Sequence, residues 1–171
     1  MNSIEQIREY RKTIYKIADF IIDNENAVAE FGNSLNWSDL ESMPTWLLWD
    51  DYKIKNLVMT AGTIFLLPSI RIWIDSRKIQ EVRALIGEHL FEIILQTTKI
   101  DNNQIKSLNI SNIEDNLLSS GASVIISSNS MRIRPWLTNI LPKPKGKLDP
   151  TLAGEIMKHT LFVISQINQS K

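Results

Sequence analysis

The side chains with the most chemical reach in this 171-residue chain are two histidines, the Asp50–Asp51 carboxylates and two clusters of cations around tryptophan. His159 stands four residues after Glu155, a helical spacing that can bring an imidazole and a carboxylate to one proton or one metal. One carboxylate and one imidazole fall short of the four ligands of a closed zinc site, and no HExxH is present. The other histidine is His89. Asp50–Asp51 is an adjacent acidic pair, but neighbouring helical residues do not face one another, and Asp51 reads better as a helix N-cap. The chain has no GxGxxG, no GxxxxGK[ST] and no GxSxG, so dinucleotide, P-loop and hydrolase readings lack an anchor. No serine sits in a nucleophile context. The expectation is no catalytic, cofactor-binding or metal-binding residue.

The basic clusters are Arg132, Arg134, Lys143, Lys145 and Lys147 around Trp136, and Arg71, Arg77, Lys78 and Arg83 around Trp73. Either could contact phosphates and stack bases. Lys+Arg and Asp+Glu are equal at 19 each, so no overall field draws nucleic acid or an anionic membrane, and a solvated loop or an acidic protein partner fits as well. A third aromatic group, Trp37, Trp46 and Trp49, reads as a satellite core or as a docking hot spot. The interaction candidates are therefore Trp46, Trp49, Arg71, Trp73, Arg77, Arg132 and Arg134.

Hydrophobic residues at 43% and charged residues at 22% are ordinary globular values, and this length suits one domain able to bury its own core. Without cysteine there is no disulfide, thiolate nucleophile or Cys-based metal site, which fits a reducing compartment. The first sixteen residues mix charged and apolar types without an h-region, so no secretory signal is expected there. The charge-free run from Asn56 to Ile70 is shorter than the ~20 residues of a membrane span, and Pro68 interrupts it. A buried core helix is expected instead.

The elements that would position these residues are helices. Ser3 and Gln6 have capping-box spacing, and Ile4, Ile7, Ile14, Ile17, Ala18 and Ile21 recur at three- and four-residue steps, so one face of the first helix seeks a partner. Asp23–Asn26 should end it, and Gly32–Asn33 should turn. Ser38 with Glu41 suggests a second capping box, and Pro44 the first turn of a short helix. Asp51 should cap a helix ending near Leu67–Pro68. Ile70 to Ile74 alternates like a strand, but five residues between helices should be absorbed into a helical turn. Asp75 or Ser76 should cap the next helix, Gly87 should close it, and another should run from Glu88 to Gln96. Residues 101–112 read as a linker or loop. A helix from Ile113 to Ser127 carries Gly121, where two helices could approach closely. Pro135 opens a short helix, residues 142–147 form a Pro/Lys loop, and Asp149–Pro150 starts the last helix. The expected fold is all-α, a single multi-helix domain with irregular N-terminal and mid-chain loops. Its parts would be 1–50, 51–100, 101–112 and 113–171.

The order of these signals resembles the central block of the SctK (YscK-like) proteins of bacterial type III secretion. Gly62, Leu66, Leu67 and Pro68 match an "LLGxxxLAP" helix, Ile74 and Asp75 an "IDG"-like cap, and Arg83, Ala84, Leu85, Gly87 and Glu88 an "LRAL…LGE" helix. Gly121–Ala122, Arg134–Leu137 and Leu148–Pro150 continue the likeness. Ser76 stands where the family often has Gly, and the first fifty residues match poorly. The resemblance implies a non-enzymatic, cytoplasmic sorting-platform adaptor. Its partners would be an SctD-like inner-membrane ring protein and an SctQ-like pod protein, with an SctL-like ATPase regulator a third. A helical chaperone using Trp37–Trp49 is the alternative, and a nucleic-acid binder using Arg132–Lys147 the next.

Overall fold

The computed structural model describes residues 3–23, 36–73, 75–98 and 112–169, and these are all helix, turn and connecting loop, with no strand among them. The elements are α1 (Ser3–Asp23), α2 (Trp37–Ser42), a 3-10 turn (Thr45–Leu48), α3 (Asp51–Arg71), α4 (Ser76–Ile86), α5 (Glu88–Thr97), α6 (Ile113–Ser128), α7 (Arg134–Ile140) and α8 (Pro150–Gln169). The expected all-α class is the observed one.

Helices α3 and α6 form the axis of the fold, and α8 packs against both. Neither axial helix has a polar stripe across its middle. Every residue from Leu57 to Ile64 is buried, as is Ser120 to Ile125, the pattern of helices enclosed on all sides. Their polar members bond to their own backbone: the Thr60 and Thr63 hydroxyls donate to Asn56 O and Met59 O. Contact between the two helices depends on glycine at each crossing point. A Cβ on Gly62 would fall on the Leu117 carbonyl, and one on Gly121 would fall on the Val58 carbonyl. The close approach expected at Gly121 is therefore present.

Several boundaries differ from expectation, each for a local reason. The N-cap of α3 is Asp50, whose carboxylate accepts from the Lys53 N–H at 2.9 Å, and Asp51 belongs to the first turn. The capping box of α2 is Asn36 with Asp39, not Ser38 with Glu41. Pro44 precedes the 3-10 turn as its cap. Helix α3 continues past Pro68 to Arg71, because Ser69 and Ile70 are still buried and proline in the last turns forfeits only one backbone bond. Ile70 and Arg71 are thus helical and Ile72 is the αR C-cap, so the first part of the alternating segment is absorbed into the helix end, and Trp73 follows outside it. Asp75 does cap α4, and Gly87, with φ of 93°, links α4 to α5 in a conformation that side-chain-bearing residues avoid. Asp149 caps α8 by accepting from Thr151 and Leu152 N–H. The Ser3 side chain, the Gly32–Asn33 turn, Ile74 and the loop expected over 101–111 lie outside the described residues. Asn112 lies inside and caps α6.

Candidate docking surface

The groups singled out for chemistry are mostly engaged in holding helices together. His159 Nε2 lies 2.9 Å from the Thr98 hydroxyl and 3.3 Å from that of Thr97, and its ring stacks on Phe162. Thr98 is buried, so the imidazole pairs a hydroxyl at the end of α5 from across on α8. Burial lowers the His159 pKa from its ordinary value. Glu155 and His89 are both exposed, and Asp50 and Asp51 serve the start of α3. Among the described residues no group of three or more His, Asp or Glu could hold a metal ion.

The two basic clusters are dispersed in the same way. Arg71 donates to the carbonyls of Leu95 and Thr98, closing the C-terminal end of α5 where a cation is favoured. Arg83 pairs with Glu88 and Glu92 at 3.0 and 3.1 Å and lies over the Phe91 ring. Lys78 sits 6.0 Å above the half-buried Trp73 ring, and the Arg77 side chain is exposed. Arg132 reaches the buried Asp39 carboxylate at 3.3 Å. Arg134 donates to Asn129 O and Ser127 O, finishing α6 as Arg71 finishes α5. Trp136 is in the core, edge-on to Phe20, so it is not a stacking platform.

The Pro/Lys loop is not simply solvated. Ser119, Ser123 and Ser127 form one row along α6, and the loop lies on it. Lys145 N–H donates to Ser123 Oγ and is shared with Ser119 O, Gly146 N–H donates to Ser123 Oγ, and Leu148 N–H to Ser127 Oγ. Lys145 Nζ also donates to Asn116. Beside this loop a cleft of about 500 Å³ opens between Phe20, Ile54, Val58, Leu118, Ile140 and Pro142.

The tryptophan group divides. Trp46 is 3% exposed and belongs to the main core cluster, so as a docking residue it is corrected: the indole reaches no partner without unpacking the domain. Trp49 is half-buried against the same core. Trp37 alone of the three is open, at 51%. It meets Tyr15 of α1 edge-on at 6.0 Å, and its Nε1–H donates to Glu41.

This pair leads to an exposed apolar surface on α1. On α1 the residues Ile7, Tyr10, Ile14, Ile17 and Ile21 alternate in steps of three and four, the seam spacing of packed helices. The last three are buried; Ile7 and Tyr10, on the same seam, are 53% and 52% exposed. Every residue from Ile4 to Lys12 is exposed, so the first turns of α1 overhang the body that holds its second half. Ile4, Tyr15, Ile22 and Trp37 add to the exposed apolar surface of this region. Between residues 8 and 16 four cations, Arg8, Arg11, Lys12 and Lys16, stand against one carboxylate, Glu9, which Lys12 holds at 2.6 Å and keeps below its ordinary pKa. The apolar period of α1 was legible from sequence; which part of it the fold leaves uncovered was not. Among the described residues no helix is long and apolar enough to cross a membrane. Comparison of the chain with protein-family models, curated proteins and solved structures found no match.

Proposed function

We propose that this chain is a non-catalytic adaptor that works by docking other proteins. The observation that carries this reading is the uncovered seam of α1, in which Ile7 and Tyr10 continue a stripe that the core uses only from Ile14 onward. Exposed apolar residues at helical spacing, ringed by charges, mark a surface for another helix or groove. Of the candidate catalytic groups, His159 pairs the Thr98 hydroxyl and Asp50 caps α3.

The sequence likeness to SctK proteins gives the adaptor a setting: the cytoplasmic face of a type III secretion apparatus, peripheral to the inner membrane. There it would bridge an SctD-like ring protein and an SctQ-like pod protein, with an SctL-like regulator nearby. The matched positions are helix ends and core residues, including Pro68, Asp75 and Gly87, so the likeness supports a shared framework and assigns no binding residue. Affinity purification of the tagged chain from a bacterium assembling its apparatus should recover the ring and pod proteins; recovery of neither would sink the assignment.

A helical chaperone for one client is the second reading, favoured by the open Trp37 indole beside Tyr15. It predicts one stoichiometric partner, released with a secretion substrate and absent from the assembled apparatus.

A further inference from the structure

We infer that the overhanging face of α1 takes an acidic amphipathic helix of another protein, whose apolar seam covers Ile7 and Tyr10 and whose carboxylates meet Arg8 and Arg11. The inference takes its location from the docking reading above and adds the chemistry of the partner.

The geometry sets the shape of the occupant. Ile7 and Tyr10 occupy successive seam positions that run in register into Ile14, Ile17 and Ile21, and only the first two are uncovered. A helix laid along this overhang would meet the apolar pair at its centre. Arg11 follows Tyr10 in the flanking position from which helices choose partners by charge, and Arg8 lies one turn before it on the same side. Both are exposed, and Lys12 already has its carboxylate in Glu9. An incoming helix therefore finds apolar contact on the seam and the exposed cations Arg8 and Arg11 along one flank, and glutamates or aspartates there complete it.

The same residues weigh against other occupants. A second copy related by two-fold symmetry would set the Arg8–Lys16 stretch against itself, and like charges repel. A membrane surface needs an amphipathic helix lying flat along its length, whereas Ile14, Ile17 and Ile21 are turned into the protein core. A nucleic acid would use the cations but not Ile4 and Ile7, and the Glu41 carboxylate at the indole N–H of Trp37 repels phosphate.

The test is fluorescence anisotropy with the full chain and two labelled synthetic helical peptides. Both carry leucine at alternating three- and four-residue steps; one has glutamates on its flanks, the other lysines in their place. Phosphatidylserine-containing vesicles and a single-stranded oligonucleotide serve as further probes, and sedimentation reports self-association. The glutamate peptide should bind and the lysine peptide should not. R8E/R11E should weaken binding by about tenfold or more, as should Tyr10→Ser, while K143E/K147E, with the same change in charge elsewhere, should stay within about twofold. All these side chains are exposed, so melting curves should match the parent. Equal binding of both peptides, binding of neither, equal loss in K143E/K147E, or a preference of this face for vesicles, oligonucleotide or a second copy overturns the inference. Ring and pod recovery separates it from the sorting-platform assignment. If R8E/R11E recovers both proteins undiminished, the acidic-helix inference fails and the adaptor stands. If the peptide results hold and neither protein is recovered, the assignment fails and the docking chemistry stands.

Discussion

Gly121 of α6 lies so close to the backbone of Val58 in α3 that a methyl group on its Cα would overlap the Val58 carbonyl, and Gly62 stands in the same relation to Leu117. The two glycines set how near the axial helices come, and hence how well their buried faces interlock. Alanine at either position gains about 1 kcal/mol of helix propensity but must push two backbones apart. Backbone yields less readily than a side chain, and overpacking of this kind destabilises by about 1–3 kcal/mol or more. Gly121→Ala and Gly62→Ala should each lower the melting temperature by several degrees, about 2–4 °C for each kcal/mol in a domain of this size. An unchanged or raised melting temperature in both would show that the helices are not in backbone contact.

Two serines three residues apart on α6 should respond oppositely to the same substitution. Ser123 Oγ accepts from the N–H groups of Lys145 and Gly146, so Ser123→Ala leaves Gly146 without its acceptor and Lys145 with Ser119 O alone, and should destabilise by about 1–3 kcal/mol. Ser120 Oγ is buried with no partner, and Ser120→Ala removes a polar atom that gains nothing from its place. That variant should be neutral or slightly stabilising. Urea titration of the pair decides the matter; equal losses would contradict the clasp of the Pro/Lys loop onto the serine row.

His159 gives stability a pH dependence of definite sign. Burial lowers its pKa in the folded chain below the ordinary 6.5, so between the two values the unfolded chain binds more protons. Its contribution is complete above 6.5 and is lost as pH falls from there toward the folded pKa. Below both values the loss is constant. His159→Gln keeps a side-chain hydrogen-bonding group near Thr98 but cannot titrate, so the difference in melting temperature between parent and variant should change through that window and be flat above it. A difference independent of pH from neutrality down to the carboxylate range would contradict this role. Glu9 and Asp50, lowered chiefly by hydrogen bonds from Lys12 and Lys53, act at more acid pH in both proteins and cancel in the comparison.

Helices and breaks were legible wherever a local rule decides them. Asp75, Gly87, Pro135 and Asp149–Pro150 stand at the boundaries their chemistry dictates, because capping and proline geometry act within a few residues. The α3 terminus was misplaced because burial of Ser69 and Ile70 is a tertiary effect that outweighs the one bond lost at Pro68. The Asn36–Asp39 box was missed because Ser38 and Glu41 satisfy the same spacing rule, and the rule alone does not choose between them. The intramolecular partners of the basic residues were hidden for another reason: those of Arg71, Arg132 and Arg134 lie 27, 93 and up to 7 residues away, distances that charge patterning in sequence does not register. The α1 seam was visible as a period, but only packing divides it into a covered half and an open one.

The tryptophans provide the sharpest separation of core from surface. Trp46 is among the main core residues at 3% exposure, so Trp46→Ala leaves a cavity and should destabilise by about 3–5 kcal/mol, enough to lower the melting temperature by roughly 10 °C. Trp37 rests on Tyr15 and Glu41 at the surface, half of it open, and its removal leaves no cavity. Trp37→Ala should change stability by about 1 kcal/mol or less. Partner binding should respond in reverse order. At a temperature where both variants are folded, Trp46→Ala should retain the affinity of the parent. Trp37→Ala should weaken binding by about tenfold, since a large exposed aromatic beside an apolar seam is the type of residue on which interfaces depend. Thermal melts with titration of one recovered partner make the comparison. Loss of binding by Trp46→Ala alone, with Trp37→Ala bound as tightly as the parent, would place the docking surface on the other side of the 3-10 turn.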